Sequence, residues 1–405
     1  MSDVLVVGAG LAGLRAAQVL DRAGVEVTLI DAAREVGGRA RSYECDGFVL
    51  DRGFQLINPA YPELLASAVL PRLDLRRFAA VIRFVDDEGS VELADPRVAP
   101  WRALSALRHP DLGVADAAHL ARVLGRVWRS PVSRLLAGAD RSTRDALTLA
   151  GVSERAIDGV VAPFLRGTFL DDELETSWHY GQMVLKSFTR GRPGTPAHGV
   201  GALARALAES LTRTTLRLGE EVLNVSPRAV ETDQGRYEAA AVIVAVDAAH
   251  ASRLAGVDDV VWRSQTTWWW SLPRLADSDQ LRIDRRRRFL SSTLDVSSVA
   301  PERAPRDRSL VAAAANGLAG ADEDERVRDD VARLYAVATR DVELVSRDDV
   351  RHALPRVPAP LRRRSPRVGD VFVAGDYLET PSIQGALVSG RHAAQAVLTA
   401  HQGRG

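Results

Sequence analysis

The chain has 405 residues, of which 53 are basic and 53 acidic, for a formal net charge of zero. That length can bury a large core and is read as two domains, and the balanced charge argues against a nucleic-acid partner, because no basic surplus is available to neutralise phosphate. Cys45 is the only cysteine, which excludes a disulfide framework and a thiolate metal site and suits a reducing compartment.

The first element is an apolar strand over Asp3–Val7, followed at once by Gly8-Ala9-Gly10-Leu11-Ala12-Gly13 and a helical run through Leu14, Ala16, Ala17 and Leu20. A second strand, Val25–Ile30, closes on Asp31. This is G-x-G-x-x-G between a strand and a helix, the setting in which the pattern signals a dinucleotide site. Gly8 makes the tight turn, Gly10 lets the backbone approach a pyrophosphate, and Gly13 lets helix and strand pack closely. The helix N-terminus, with Leu11 and Ala12 in its first turn, offers N–H groups and a positive dipole end, and Asp31 would bond a ribose hydroxyl. A strand starting this early leaves no room for a signal or transit peptide, and no uncharged apolar run is long enough to span a bilayer. A cytoplasmic protein with at most peripheral membrane contact is therefore expected.

Directly after Asp31 come Gly37-Gly38-Arg39-Ala40-Arg41, and then Asp51-Arg52-Gly53-Phe54-Gln55. A nicotinamide dehydrogenase has no need for this second glycine pair and its arginines. An extended FAD does, since the glycines let the chain pass close and Arg39 and Arg41 can meet phosphate with forked donors. Further on, Pro196–Leu203 leads a helix, Glu220–Val225 reads as a strand, Gln234-Gly235 as a hairpin turn, and Ala241–Val246 as an apolar strand closed by Asp247. Near the C-terminus Val371-Phe372-Val373-Ala374-Gly375-Asp376 reads as a buried-type strand ending in Gly-Asp, then Thr380–Arg391 enters an alanine-rich helix.

At these residues the chain resembles the FAD-dependent amine oxidase and phytoene desaturase superfamily, which also includes protoporphyrinogen oxidases. The resemblance implies an α/β fold, with a glutathione-reductase-like FAD-binding Rossmann domain and an inserted α+β substrate domain. It also implies non-covalent FAD, with Gly38, Arg39 and Arg41 and then Asp51, Gly53, Phe54 and Gln55 lining it. Val222 would contact adenine through its backbone. Gly375 and Asp376 would take the acid position near the ribityl–phosphate region, and Gln384, Gly385 and Ala386 the helix entry at the flavin's pyrimidine edge. A helix N-terminus there favours the negative charge of a reduced flavin. Amine oxidases of this kind commonly carry an aromatic residue just before the C-terminal Gly-Ala; here Ser382, Ile383 and Gln384 stand there, which weakens the amine reading.

The FAD domain is assigned to 1–60, 196–250 and 346–405, and the substrate domain to 61–195 and 251–345. The first insert reads as mainly helical, with short strands at Val81–Val85 and Val91–Leu93 and a turn at Pro163–Leu170. Leu120, Val123, Leu124, Val127, Trp128 and Val132 share one helical face, expected to pack on core. The second insert opens with Trp268-Trp269-Trp270. Alternation puts Trp268 and Trp270 on one face, as core or as the wall of a substrate pocket. Arg285–Arg288 reads as a solvated charged turn, and Lys186, the only lysine, as a solvated structural residue. The eight histidines form no metal-ligand spacing. The functional expectation is hydride transfer to FAD from a C–H bond of an apolar, isoprenoid-like substrate, with oxygen or a quinone as acceptor. A flavin amine oxidase and a flavoprotein without turnover are the alternatives.

Overall fold

The structure, a computed structural model, describes residues 3–95, 97, 109–285 and 289–402. Its centre is a six-stranded sheet in the order Arg367–Val368, Val371–Val373, Ala241–Val244, Val4–Val7, Val27–Asp31, Thr214–Leu218, parallel except for the Arg367–Val368 edge. Val4–Val7 is buried throughout, as a central parallel strand covered on both faces requires. One face packs on helices Leu11–Arg22, Gly201–Glu209 and Ile383–Gln402, and the other on helix Ala248–Ala255 and the antiparallel ribbon Val222–Ser226, Ala229–Thr232, Gly235–Glu238. The first and last of those helices approach so closely that a Cβ on Gly390 would lie 2.1 Å from the Ala12 carbonyl oxygen. Small residues in both helices are the means of that contact.

A second sheet of seven strands runs Glu343–Pro355, Trp262–Pro273, Arg308–Asn316, Ser292–Asp295, Leu281–Asp284, Val81–Asp86, Gly89–Ala94. Residues 346–355, assigned from sequence to the FAD domain, thus lie in a strand paired along Trp262–Pro273. Trp268 and Trp270 share one face, as alternation requires, but that face is packed under helix Glu323–Tyr335. Trp268 is fully buried and donates through Nε1 to Asp324 Oδ1 at 2.6 Å. Trp269 faces the other way, into a core with Phe48, Leu50 and Phe78. All three tryptophans are core.

Three other expectations change. Pro163–Phe169 is helical, within Ala162–Phe169, because Pro163 sits in the first turn, where the missing N–H costs no intrahelical bond, and only Leu170, the left-handed C-cap, turns. A π-turn, Ile157–Val161, leads into it. Lys186 is not solvated: it is 4% exposed and its ammonium donates to the carbonyls of Val127, Trp128 and Ser130 at 3.0, 3.1 and 2.6 Å. It caps the end of helix Val114–Arg129, and burial lowers its pKa. Of the charged turn, Arg285 is ion-paired to Asp86, and 286–288 lie outside the described residues.

Candidate cofactor and substrate cavity

The glycine loop builds one end of a large cavity. Gly8 leaves the first strand at φ +106°, and its N–H donates to Ile30 O at 2.7 Å. Gly10 is the N-cap of helix Leu11–Arg22. A Cβ on Gly10 would meet no protein atom within 4 Å, so packing within the chain does not demand glycine there; the space beside it is the cavity. Gly37 (φ +124°) bridges to Gly10, and Gly38 (φ +58°) lies against the Gly10 Cα. Two glycine turns are therefore stacked with their backbones facing open space at a helix N-terminus, which suits a pyrophosphate and makes the chain a fit for FAD. Asp31 stands beside them, its carboxylate accepting from the N–H groups of Ala9 at 2.6 Å and Ala33 at 2.7 Å.

Arg39 ties the two ends of the chain together. It donates to Asp376 Oδ1 at 2.5 Å and to Ala353 O at 2.9 Å, and its guanidinium leans on the Trp262 ring. Burial opposes its charge, but the Asp376 carboxylate, with Asp247 adding to it, leaves its pKa raised. Arg41 donates to Gly38 O at 3.1 Å. Gln55 donates to the Arg39 and Arg52 carbonyls, and the Phe54 N–H to Thr267 Oγ1 at 3.1 Å, pinning the 52–55 loop to the second sheet. Ser382 caps the last helix by accepting from the Gly385 N–H at 3.0 Å.

The cavity measures about 1620 Å³, beyond the roughly 300–1,000 Å³ of a pocket for one small ligand. Gly8, Gly10, Leu11, Ala12, Asp31, Gly38, Arg39, Arg41, Gly53, Phe54, Gln55, Val222, Gly375, Asp376 and Ala386 all line it. Six expected site residues do not line it. Gly13 is packed against the loop itself, where a Cβ would stand 1.9 Å from Gly8 O. Gly385 would likewise meet Thr380 O at 1.9 Å, and Gln384 turns away to accept from the Glu63 N–H at 3.0 Å. Asp51 is 1% exposed, ion-paired to the fully buried Arg303 at 3.0 Å, and accepts from Ser42 Oγ and the Val200 N–H. Trp268 and Trp270, offered as pocket wall, are the core residues already described.

A large apolar part of the remaining wall comes from the first insert. Helix Val114–Arg129 contributes Leu120, Val123, Leu124 and Trp128, the π-turn Val160 and Val161, the next helix Phe164, and helix Trp178–Arg190 Tyr180, Val184, Leu185 and Phe188. On Val114–Arg129 only Val127 is buried in the protein, and Leu124 and Trp128 remain 39% and 49% exposed. The stripe divides: Val123, Leu124 and Trp128 line the cavity, Val127 packs in a core with Leu135, Leu147 and Leu185, and Leu120 touches both, so the expected core packing holds in part. Asp95 and Asp349, carboxylates on the wall, are held by Arg97 at 2.5 Å and Arg347 at 3.2 Å. Tyr180 donates to Pro381 O at 3.0 Å, and burial pushes the Tyr61 hydroxyl up to about 12.

A family model for flavin containing amine oxidoreductase matches residues 11–398. Among curated proteins, putrescine oxidase of Kocuria rosea is 52% identical over 64 residues, 16% of this chain and 13% of its own length. Hydroxysqualene dehydroxylase of Sinorhizobium fredii is 27% identical over 231 residues, 54% of this chain and 52% of its own length. The chain thus spans about half or less of the length of these relatives. Among solved structures, an oxidoreductase from Methanosarcina mazei superposes with a TM-score of 0.74 at 15% identity over 98% of this chain and 99% of that one. Putrescine oxidase with bound putrescine superposes at 0.71 and 18% identity, over 98% and 99%. These likenesses show a shared fold.

Proposed function

The chain belongs to the flavin-containing amine oxidoreductase family, FAD-dependent oxidoreductases, and on that premise we propose that it takes a hydride from a C–H bond of an apolar, isoprenoid-like substrate. The observation that carries this reading is the apolar cavity wall of Leu120, Leu124, Trp128, Val161, Phe164 and Phe188. Burying a lipid chain against it yields about 25 cal/mol per Å². A cationic amine would find the wall carboxylates Asp95 and Asp349 already engaged by arginines, and no aromatic residue at Ser382–Gln384.

Bound FAD would supply the hydride acceptor. The protein's part is positioning and electrostatics. Gly10 and Gly38 leave room for the pyrophosphate, and the Arg39–Asp376 bridge holds the glycine turn to the C-terminal segment. The Ser382-capped helix end presents its dipole to negative charge. Attachment is non-covalent in this reading, since Cys45 lies off the cavity, against Val345 O. The cofactor part comprises 1–60, 196–250 and the stretch after Pro355, and the substrate part the two inserts. Oxygen or a quinone would take the electrons onward. Anaerobic flavin reduction, screened with polyenes and cyclic isoprenoids against mono- and polyamines, tests the reading. Bleaching by the lipids is expected, and rapid bleaching by a primary amine overturns it in favour of amine oxidation.

A further inference from the structure

Within the cavity's sheet floor, one polar side chain is set up to donate and, among the described residues, has nothing to donate to. Gln265 lies on Trp262–Pro273, is 7% exposed, and lines the cavity. Its orientation is fixed by a short relay. The Phe54 N–H donates to Thr267 Oγ1 at 3.1 Å, and the Thr267 hydroxyl donates to Gln265 Oε1 at 3.4 Å. With the amide oxygen taken by Thr267, the amide NH₂ is the group left for the cavity, and among the described residues it has no acceptor. A second group repeats the pattern on the same floor. Thr267 pairs with Ala314 and Ala314 with Ser292, so the Ser292 side chain falls on the face that carries Gln265 and Thr267. Ser292 is 8% exposed, lines the cavity, and its hydroxyl has no protein partner among the described residues.

A buried donor left unsatisfied costs about 1–3 kcal/mol. A bare hydrocarbon filling this space would impose that cost at Gln265, whereas an oxygen on the occupant removes it. Sites built to bond such a group discriminate strongly against analogues that lack it. We infer that Gln265 is a specificity-determining residue, and that the substrate is an oxygenated lipid whose hydroxyl or carbonyl oxygen accepts from the Gln265 amide beside the 52–55 loop. This rests on the apolar reading of the cavity and narrows its substrate class.

The test uses FAD-loaded protein and measures dissociation constants from perturbation of the flavin spectrum. The probes are an isoprenoid alcohol, the corresponding ketone and the hydrocarbon of equal length, with putrescine as the amine. Wild-type protein is expected to bind alcohol and ketone at least tenfold tighter than hydrocarbon, or about 1.4 kcal/mol. Gln265→Leu should collapse that ratio toward one; Gln265→Met, unbranched, serves if the leucine variant folds poorly. Gln265→Glu should lose the ketone in particular, because an ionised carboxylate has no proton to donate. Equal wild-type affinity for all three lipids, or a ratio unchanged in Gln265→Leu and Gln265→Met, overturns the inference and leaves the apolar reading standing. Binding of putrescine with none of the lipids overturns both.

Discussion

Gly10 and Gly13 belong to one motif, yet the structure gives them different work, and paired alanine substitutions separate it. Gly10 has φ −73° and ψ 177°, which any residue adopts, and a Cβ there meets nothing within 4 Å. Replacing an N-cap glycine by alanine costs about 0.5–1 kcal/mol of capping. Loss of unfolded-state freedom returns about 0.4–1 kcal/mol. Gly10→Ala should therefore leave the FAD-free protein within about 1 kcal/mol of wild type. The added methyl instead enters the space beside the glycine loop, and FAD affinity should fall at least tenfold, about 1.4 kcal/mol. Gly13→Ala is the opposite case. Its Cβ would stand 1.9 Å from Gly8 O, where real Cβ atoms essentially never come under 3.0 Å, so backbone has to move by about an ångström. A loss above about 4 kcal/mol follows, with or without cofactor. Denaturant unfolding of the FAD-free protein and FAD titration give the two numbers. Wild-type FAD affinity in Gly10→Ala, or wild-type stability in Gly13→Ala, would refute the assignment of roles.

Trp268→Ala should destabilise by about 3–5 kcal/mol in urea unfolding while leaving the affinity for lipid probes unchanged, because the ring packs under helix Glu323–Tyr335 and not on the cavity. Asp51→Asn strips the fully buried Arg303 of its counter-charge, and a loss of about 3–5 kcal/mol is expected from the same measurement. The Tyr61 hydroxyl, raised by burial to about 12 from 10.0, contributes stability that is complete below pH 10 and is lost as pH rises through 12. Tyr61→Phe should flatten the fall in unfolding free energy between pH 9 and 12, and an unchanged slope would remove Tyr61 as its source. Acid precipitation should leave the yellow colour in the supernatant, and colour in the pellet would mean a covalent flavin.

The cofactor end was legible in the sequence because its physics is local. A tight turn, a close backbone approach and a helix N-terminus each demand glycine at a fixed offset from a strand, so Gly8 and Gly10 could be placed on the cavity wall by spacing, and Gly38 by the resemblance of the second glycine pair. Asp51 shows where such reading stops. Its position in the D-x-G segment is local, but Arg303, the partner that makes it structural, is 252 residues away in sequence and no spacing announces it. Lys186 failed similarly, since the carbonyls it caps belong to another helix.

The substrate end was misread for a different reason. A helix that lines a cavity and a helix that covers a core show the same 3.6-residue stripe, because both present apolar side chains to a surface without water-facing charge. The core expected for Leu120, Leu124 and Trp128 could therefore not be told from cavity lining, and the strand alternation of Trp268 and Trp270 likewise left core and pocket wall both open. What separates them is an interior partner. Trp268 and Trp270 have Val327, Val331 and Leu334 opposite them, and Trp268 also has Asp324 for its indole N–H; Leu124 and Trp128 have open volume. Helix Glu323–Tyr335 carries the signature of that difference: its buried positions recur through Val327, Val331 and Leu334, a stripe wide enough to cover the strand two-residue repeat of Trp268 and Trp270. Helix Val114–Arg129 is answered only in part: Val127 and Leu120 pack with Tyr180 and Leu185 of helix Trp178–Arg190, whereas Leu124 and Trp128 stay 39% and 49% exposed on the cavity. Sequence periodicity reports the stripe as one feature, and only the fold separates its packed positions from those that face open volume.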